Sequence, residues 1–106
     1  MLGCSTGPKT SQEAKEKAAQ IWTTRCASCH GATGAGDGPS AVGLTPAPRS
    51  FKDRAWQIQA KDDQIAKVIV EGGAAQGMSP RMAANPDLRG DDEVVAALVA
   101  MIRGFQ

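Results

Sequence analysis

Within the stretch RCASCHGATGAGDGP, Cys26 and Cys29 stand three positions apart, and His30, the only histidine of the chain, follows at once. At a helix end this spacing brings both thiols to one side, with the imidazole next to them. Thiols so placed add to the two vinyl groups on adjacent pyrroles of a haem, and the imidazole beneath takes an axial position on its iron. Competing chemistries lack their partners. A thioredoxin-like redox pair belongs to a βαβ unit, and no strand pattern precedes this one. Structural zinc would need two more Cys or His, and only Cys4 remains. The bland account is two buried cysteines beside a satisfied histidine, and the attachment motif outweighs it.

An iron held this way has a second axial position. With a single histidine, bis-histidine ligation from one chain is excluded, and methionine is the usual partner. Met1 sits in a leader, and Met101 falls on the apolar stripe of the last helix, where it fills the core. Met78 and Met82 remain, both in EGGAAQGMSPRMAANPDL.

Helical elements must position these groups. Residues 1–10 (MLGCSTGPKT) read as a flexible leader, and residues 11–106 as one domain. Residues 11–25 predict a helix capped by Ser11, with Ala14, Ala18, Ile21 and Trp22 on one stripe that Cys26 and Cys29 extend. A long Gly- and Pro-rich loop follows over 31–48, of a length that is usually functional. A short turn or helix at 50–57 carries Phe51 and Trp56. A helix over 62–71, capped by Asp62, turns Ile65, Val68 and Ile69 inward and stops at Gly72-Gly73. A second loop, 72–90, carries Met78 and Met82. The last helix, 91–103, has an apolar stripe of Val94, Val95, Leu98, Met101 and Ile102, with Asp91, Asp92 and Glu93 at the positive end of its dipole. No β-alternation and no internal repeat is visible, so the fold class is all-α.

Composition narrows the function. The 106 residues carry twelve Lys and Arg against eleven Asp and Glu, interspersed, which offers no clustered basic face for nucleic acid. No apolar run reaches the roughly 20 residues that span a bilayer. The aromatic inventory is Trp22, Phe51, Trp56 and Phe105, with no tyrosine. A chain this small has a thin core, and a large apolar group that is not an amino acid would complete it. Three cysteines exclude a complete disulfide framework.

From about residue 11 onward the sequence resembles a class I cytochrome c of the small bacterial kind, on IWTTRCASCHG, GAGDGP, PAPRSF with its following Trp, EGG…GMSPRM and the amphipathic helix after PDL. The resemblance implies the cytochrome c fold: N- and C-terminal helices packed together, one or two shorter helices, and long loops around one covalently bound haem c. It also implies Met82 as the methionine ligand, because relatives often read G-x-S-P-x-M-P there. Two departures stand out. Ala83 occupies the usual proline position, which loosens the ligand loop, and Met101 stands where an aromatic residue often packs against the first helix. Three supporting roles follow from the same resemblance: the Pro39 carbonyl as acceptor for the ring N–H of His30, the Trp56 indole as donor to a haem propionate, and Arg49 as a propionate partner.

The function so implied is one-electron transfer by a His30/Met82-ligated, low-spin haem, without enzymatic activity of its own. A ligand-binding or peroxidatic haem protein with a labile methionine, and an electron-relay subunit bound in a membrane redox complex, are the alternatives. Arg49, Lys52, Arg54 and Arg81 form a small basic set that could meet an acidic partner, although a solvated surface is the simpler account. The expected partners are redox proteins, among them a membrane respiratory or photosynthetic complex. Haem attachment in bacterial relatives takes place outside the cytoplasmic membrane, so a periplasmic location is expected. Leu2-Gly3-Cys4-Ser5 resembles the end of a lipoprotein signal, which would anchor the domain at a membrane surface through a diacylated Cys4.

Overall fold

The computed structural model describes residues 10–106, so expectations about the leader and Cys4 lie outside the described residues. Five α-helical segments follow one another: α1 (Gln12–Ile21), α2 (Ala27–His30), α3 (Arg54–Gln59), α4 (Asp62–Glu71) and α5 (Asp92–Gly104), with no strand among the described residues.

Ser11 begins α1 as expected, in an extended conformation, its hydroxyl accepting from the Ala14 N–H at 3.0 Å. Its own N–H donates to Glu93 Oε1 at 3.0 Å, which ties the start of α1 to the start of α5. Lys17 and Asp91 add an ion pair at 3.1 Å across the same junction. Along α1, Ala14, Ala18 and Ile21 face inward. The two alanines let the helix backbone approach α5, whose Val94, Val95, Ala97, Leu98, Val99 and Ile102 are buried. The terminal helices therefore pack together, and they make the most extensive contact between elements.

The first helix does not stop near residue 25. It continues through a π-helical turn (Trp22–Cys26) directly into α2. In this turn the Ala27 N–H reaches the Trp22 carbonyl. The Thr23 hydroxyl donates to Ala19 O at 3.0 Å, and that of Thr24 donates to Gln20 O at 2.8 Å. Threonines bonding back onto the helix in this way loosen the ordinary ladder and favour a bend. The extra residue of a π turn re-aims the helix face, and such turns recur at functional sites.

Asp53 caps α3 by accepting from the Trp56 N–H at 3.3 Å, so residues 50–53 form the approach to that helix and not part of it. The cap of α4 is Lys61, one residue before the expected Asp62; its N–H donates to Gln64 Oε1 at 3.2 Å. The Asp62 carboxylate instead accepts from Arg103 Nε at 2.9 Å. Arg103 also donates to Gln57 O, Gln57 Oε1 and Ala60 O. Buried Gln57 in turn donates to Phe51 O and Ile102 O, both at 2.9 Å. One polar hub, buried at Gln57 and reaching the surface at Asp62, thus joins α3, α4 and α5. Short 3-10 turns at Pro39–Ala41, Ala74–Gln76 and Pro86–Leu88 break up the two long loops.

Candidate functional site

Seen from the inside of the fold, one apolar cavity is lined by Trp22, Cys26, His30, Phe51, Ile69, Met82, Leu98 and Ile102. The π turn and α2 supply Trp22, Cys26 and His30, α4 supplies Ile69, and α5 supplies Leu98 and Ile102. The approach to α3 contributes Phe51, and the loop over 72–90 contributes Met82. Cys29 is half-buried on α2, and Cys26 and Cys29 are both free thiols. Burial pushes the Cys26 thiol up to about 11, with Arg25 pulling modestly the other way.

The orientation of His30 is fixed by backbone. Its Nδ1 lies 3.1 Å from the Arg49 carbonyl oxygen. A carbonyl only accepts, so Nδ1 carries the proton and donates, which leaves the Nε2 lone pair free in the neutral ring. Burial lowers the pKa of His30, and the Arg49 carbonyl partly offsets this, so the neutral form prevails near pH 7. Phe51 stacks on the imidazole with ring centroids 4.6 Å apart, and Trp22 lies 6.2 Å away. The loop bearing Arg49 is itself clamped: the Phe51 N–H donates to Gly34 O at 2.6 Å, and the Gly36 N–H donates to His30 O at 2.7 Å.

The acceptor expected at Pro39 is therefore a correction. Pro39 is exposed and opens a 3-10 turn, where its ring occupies the first position. The preceding Gly38 is pressed onto the carbonyls of Ala27 and Ser28, where any Cβ would collide, and its N–H donates to Cys29 O at 3.0 Å. That contact holds the Pro39 turn against the backbone of α2, and the ring nitrogen is served from the far end of the same loop, at Arg49. A main-chain acceptor leaves no side-chain signature, which is why sequence reasoning did not single out the Arg49 carbonyl.

Trp56 is half-buried against Phe51, with centroids 5.1 Å apart, and does not line the cavity. The Arg49 guanidinium lies 6.0 Å from the centre of the Trp56 ring and pairs with Asp53 at 3.5 Å. The two methionines separate clearly. Met82 faces the cavity, whereas Met78 is 59% exposed. Met101 is half-buried at the edge of the core, as its expected filling role requires.

The donor set fits a haem attached through thioethers: thiols, a neutral imidazole and a thioether sulfur on an otherwise apolar wall. Trp22 Nε1 adds an independent sign. Among the described residues it is the one buried side-chain nitrogen or oxygen without a partner. An orphaned N–H in this wall costs free energy that a bound group with acceptor atoms would relieve.

Fold and donor set together define a haem-binding helical protein of the c type. The family model for cytochrome c matches residues 15–106, and the chain belongs to that family. Its fold is similar to the solved structure of the KustC0563 c-type cytochrome, at 30% identity and a TM-score of 0.61, over 84% of this chain and 96% of that one. No curated protein matches it. As a member of this family the chain takes one covalently attached haem c and is of the electron-carrier kind.

Proposed function

We propose that the chain is a one-electron carrier and not an enzyme, with Cys26 and Cys29 as the thioether links, His30 as the proximal ligand and Met82 as the distal one. The observation that carries this reading is the convergence of Cys26, His30 and Met82 on one apolar cavity. The haem supplies the redox chemistry. The chain holds the neutral His30 ring through Arg49 O, excludes water with Trp22, Phe51, Ile69, Leu98 and Ile102, and presents a soft sulfur that favours ferrous iron and raises the potential. With His30 and Met82 both holding the iron, substrate and oxygen would have no place on it. Trp56 and Arg49, adjacent to each other beside Phe51, are the proposed propionate contacts.

Visible spectra of the ferric holoprotein test the ligand set. The weak long-wavelength band of Met–iron(III) ligation is expected in the wild type and in Met78→Ala, and its complete loss is expected in Met82→Ala. Retention in Met82→Ala would move the ligand to Met78. A wild type without the band would have an open iron, and the ligand-binding or peroxidatic reading would replace electron transfer.

We further propose a periplasmic location and docking on redox proteins, a membrane respiratory or photosynthetic complex among them. A diacylated Cys4 would hold the domain at the membrane without a spanning helix. Among the described residues no helix is long and apolar enough to cross a membrane. The intact mass of protein recovered from membranes is expected to show two acyl chains and a glyceryl group on Cys4. An unmodified thiol at Cys4 would remove the anchor.

A further inference from the structure

Three residues beyond Met82, the chain buries a polar side chain. Asn85 is 9% exposed, and all its groups are engaged. Its Nδ2 donates to Ile69 O at 2.7 Å, and its backbone N–H donates to Val70 O at 3.0 Å. These two carbonyls belong to the last turn of α4, where the helix itself has no donors left to offer. Its Oδ1 accepts from Arg25 Nη1 at 3.1 Å. Arg25 sits immediately before Cys26, which lines the cavity, and also grips Asp87 through two parallel bonds of 3.0 Å. Its hydrogen bonds to Arg25 hold the Asp87 carboxyl below the usual carboxylate range, so the pair is charged at neutral pH.

On its other side Met82 is fastened once more to the end of α4, where its carbonyl accepts from the Gly73 N–H at 2.9 Å. Between these two fastenings lie Ala83 and Ala84, which are exposed and contribute no polar side-chain contact. The segment is thus held at its ends. The proline expected at position 83 would have stiffened it from within.

We propose that Asn85, gripped by Arg25, is the positioning residue that keeps Met82 on the cavity and takes over the role of the missing proline. This rests on Met82 being the distal ligand. Because Arg25 adjoins the thioether-bearing turn, the bridge links the proximal and distal walls through one amide. Loss of the amide breaks the bond to Ile69 O and the one from Arg25, leaves only the backbone bond to Val70 O to hold this end of the strap, and leaves a buried carbonyl unpaired. The methionine then leaves the iron more often, and an added ligand that competes with it binds more tightly by the same factor.

The test is imidazole binding to the ferric holoprotein, followed through the Met–iron(III) band. Asn85→Ala is expected to raise imidazole affinity roughly tenfold and Arg25→Gln severalfold, factors in keeping with one or two lost hydrogen bonds. Arg103→Gln breaks the polar hub at α3, far from Met82 in the chain, and is expected to leave the affinity within twofold. The inference is overturned if Asn85→Ala and Arg25→Gln also stay within twofold, or if Arg103→Gln raises the affinity equally, which would mark general loosening. Should Asn85→Ala fail to fold, Arg25→Gln decides alone, since that side chain lies at the surface. Met82→Ala separates the two levels: if it keeps the band, the ligand assignment falls first and this inference with it. If it loses the band while Asn85→Ala and Arg25→Gln stay inert, only the positioning role falls.

Discussion

Leu98→Ala is expected to destabilise the holoprotein by roughly 3 kcal/mol, within the range for a fully buried leucine. Leu98 is 1% exposed, and it is one of the two largest fully buried side chains among the described residues. It stands on α5, which packs against α1, and it also forms part of the cavity wall. Truncation therefore removes apolar contact on two sides, and the rigid helix pair cannot close the gap. For a domain of this size the loss corresponds to a fall in Tm on the order of 15 °C. Met101→Ala on the same helix, where the side chain is only half-buried, is expected to cost about 1 kcal/mol. Denaturant unfolding followed by helical signal and haem absorbance measures both. Equal costs would mean that the helix contact is not the principal support of the core.

The inward face of α5 was largely legible in the sequence, although Met101 on the same stripe is only half-buried. Val94, Val95, Leu98 and Ile102 lie inward at the expected spacing, and Ala14, Ala18, Ile21 and Trp22 meet them from α1 and the turn that follows it. Helical periodicity carries such information because burial repeats with the turn of the helix. The Cys26-x-x-Cys29-His30 motif stands out in the sequence for a different reason: its side chains are the proposed chemistry. What the sequence did not disclose is carried by backbone or by distant partners. The π turn at Trp22–Cys26 extends a helix expected to end near residue 25, and its threonines have no pattern that distinguishes them from ordinary helical ones. His30 is oriented by a main-chain oxygen nineteen residues away, so Pro39 drew attention that belonged to Arg49. Asp62 looked like a helix cap, but the long-range pull of Arg103 gives it another partner. Nothing in the sequence marks Asn85 within the loop over 72–90, because its burial depends on where α4 ends and Arg25 arrives.

A second large effect is expected at Gly73: with Met82 as the proposed iron ligand, Gly73→Ala should strip most of the Met–iron(III) band and lower the reduction potential. The backbone there is ordinary right-handed helical, with φ −68°, so alanine meets no conformational penalty. Space decides the outcome instead. A Cβ at this position would collide with the Ser79 carbonyl oxygen and come within 3.0 Å of Met82 Cβ. Gly73 also donates to Met82 O and accepts from the Met78 N–H at 2.8 Å, so the ligand loop is folded back directly onto it. Relief requires the loop to move away from α4, and overpacking of this kind costs roughly 1–3 kcal/mol. That corresponds to a shift of roughly fivefold to hundredfold in an equilibrium between bound and free methionine. Gly77→Ala provides the opposite case. Gly77 has φ +71°, and an added Cβ there would meet no atom within 4 Å, so the substitution strains the backbone by about 1 kcal/mol without pushing on Met82. Gly77→Ala is therefore expected to lower stability but keep the band and the potential, whereas Gly73→Ala is expected to lose both. Spectra and potentiometry on the two variants distinguish a ligand held by close packing against α4 from one held only by its own bond to iron: in the second case both glycine variants would retain the wild-type potential.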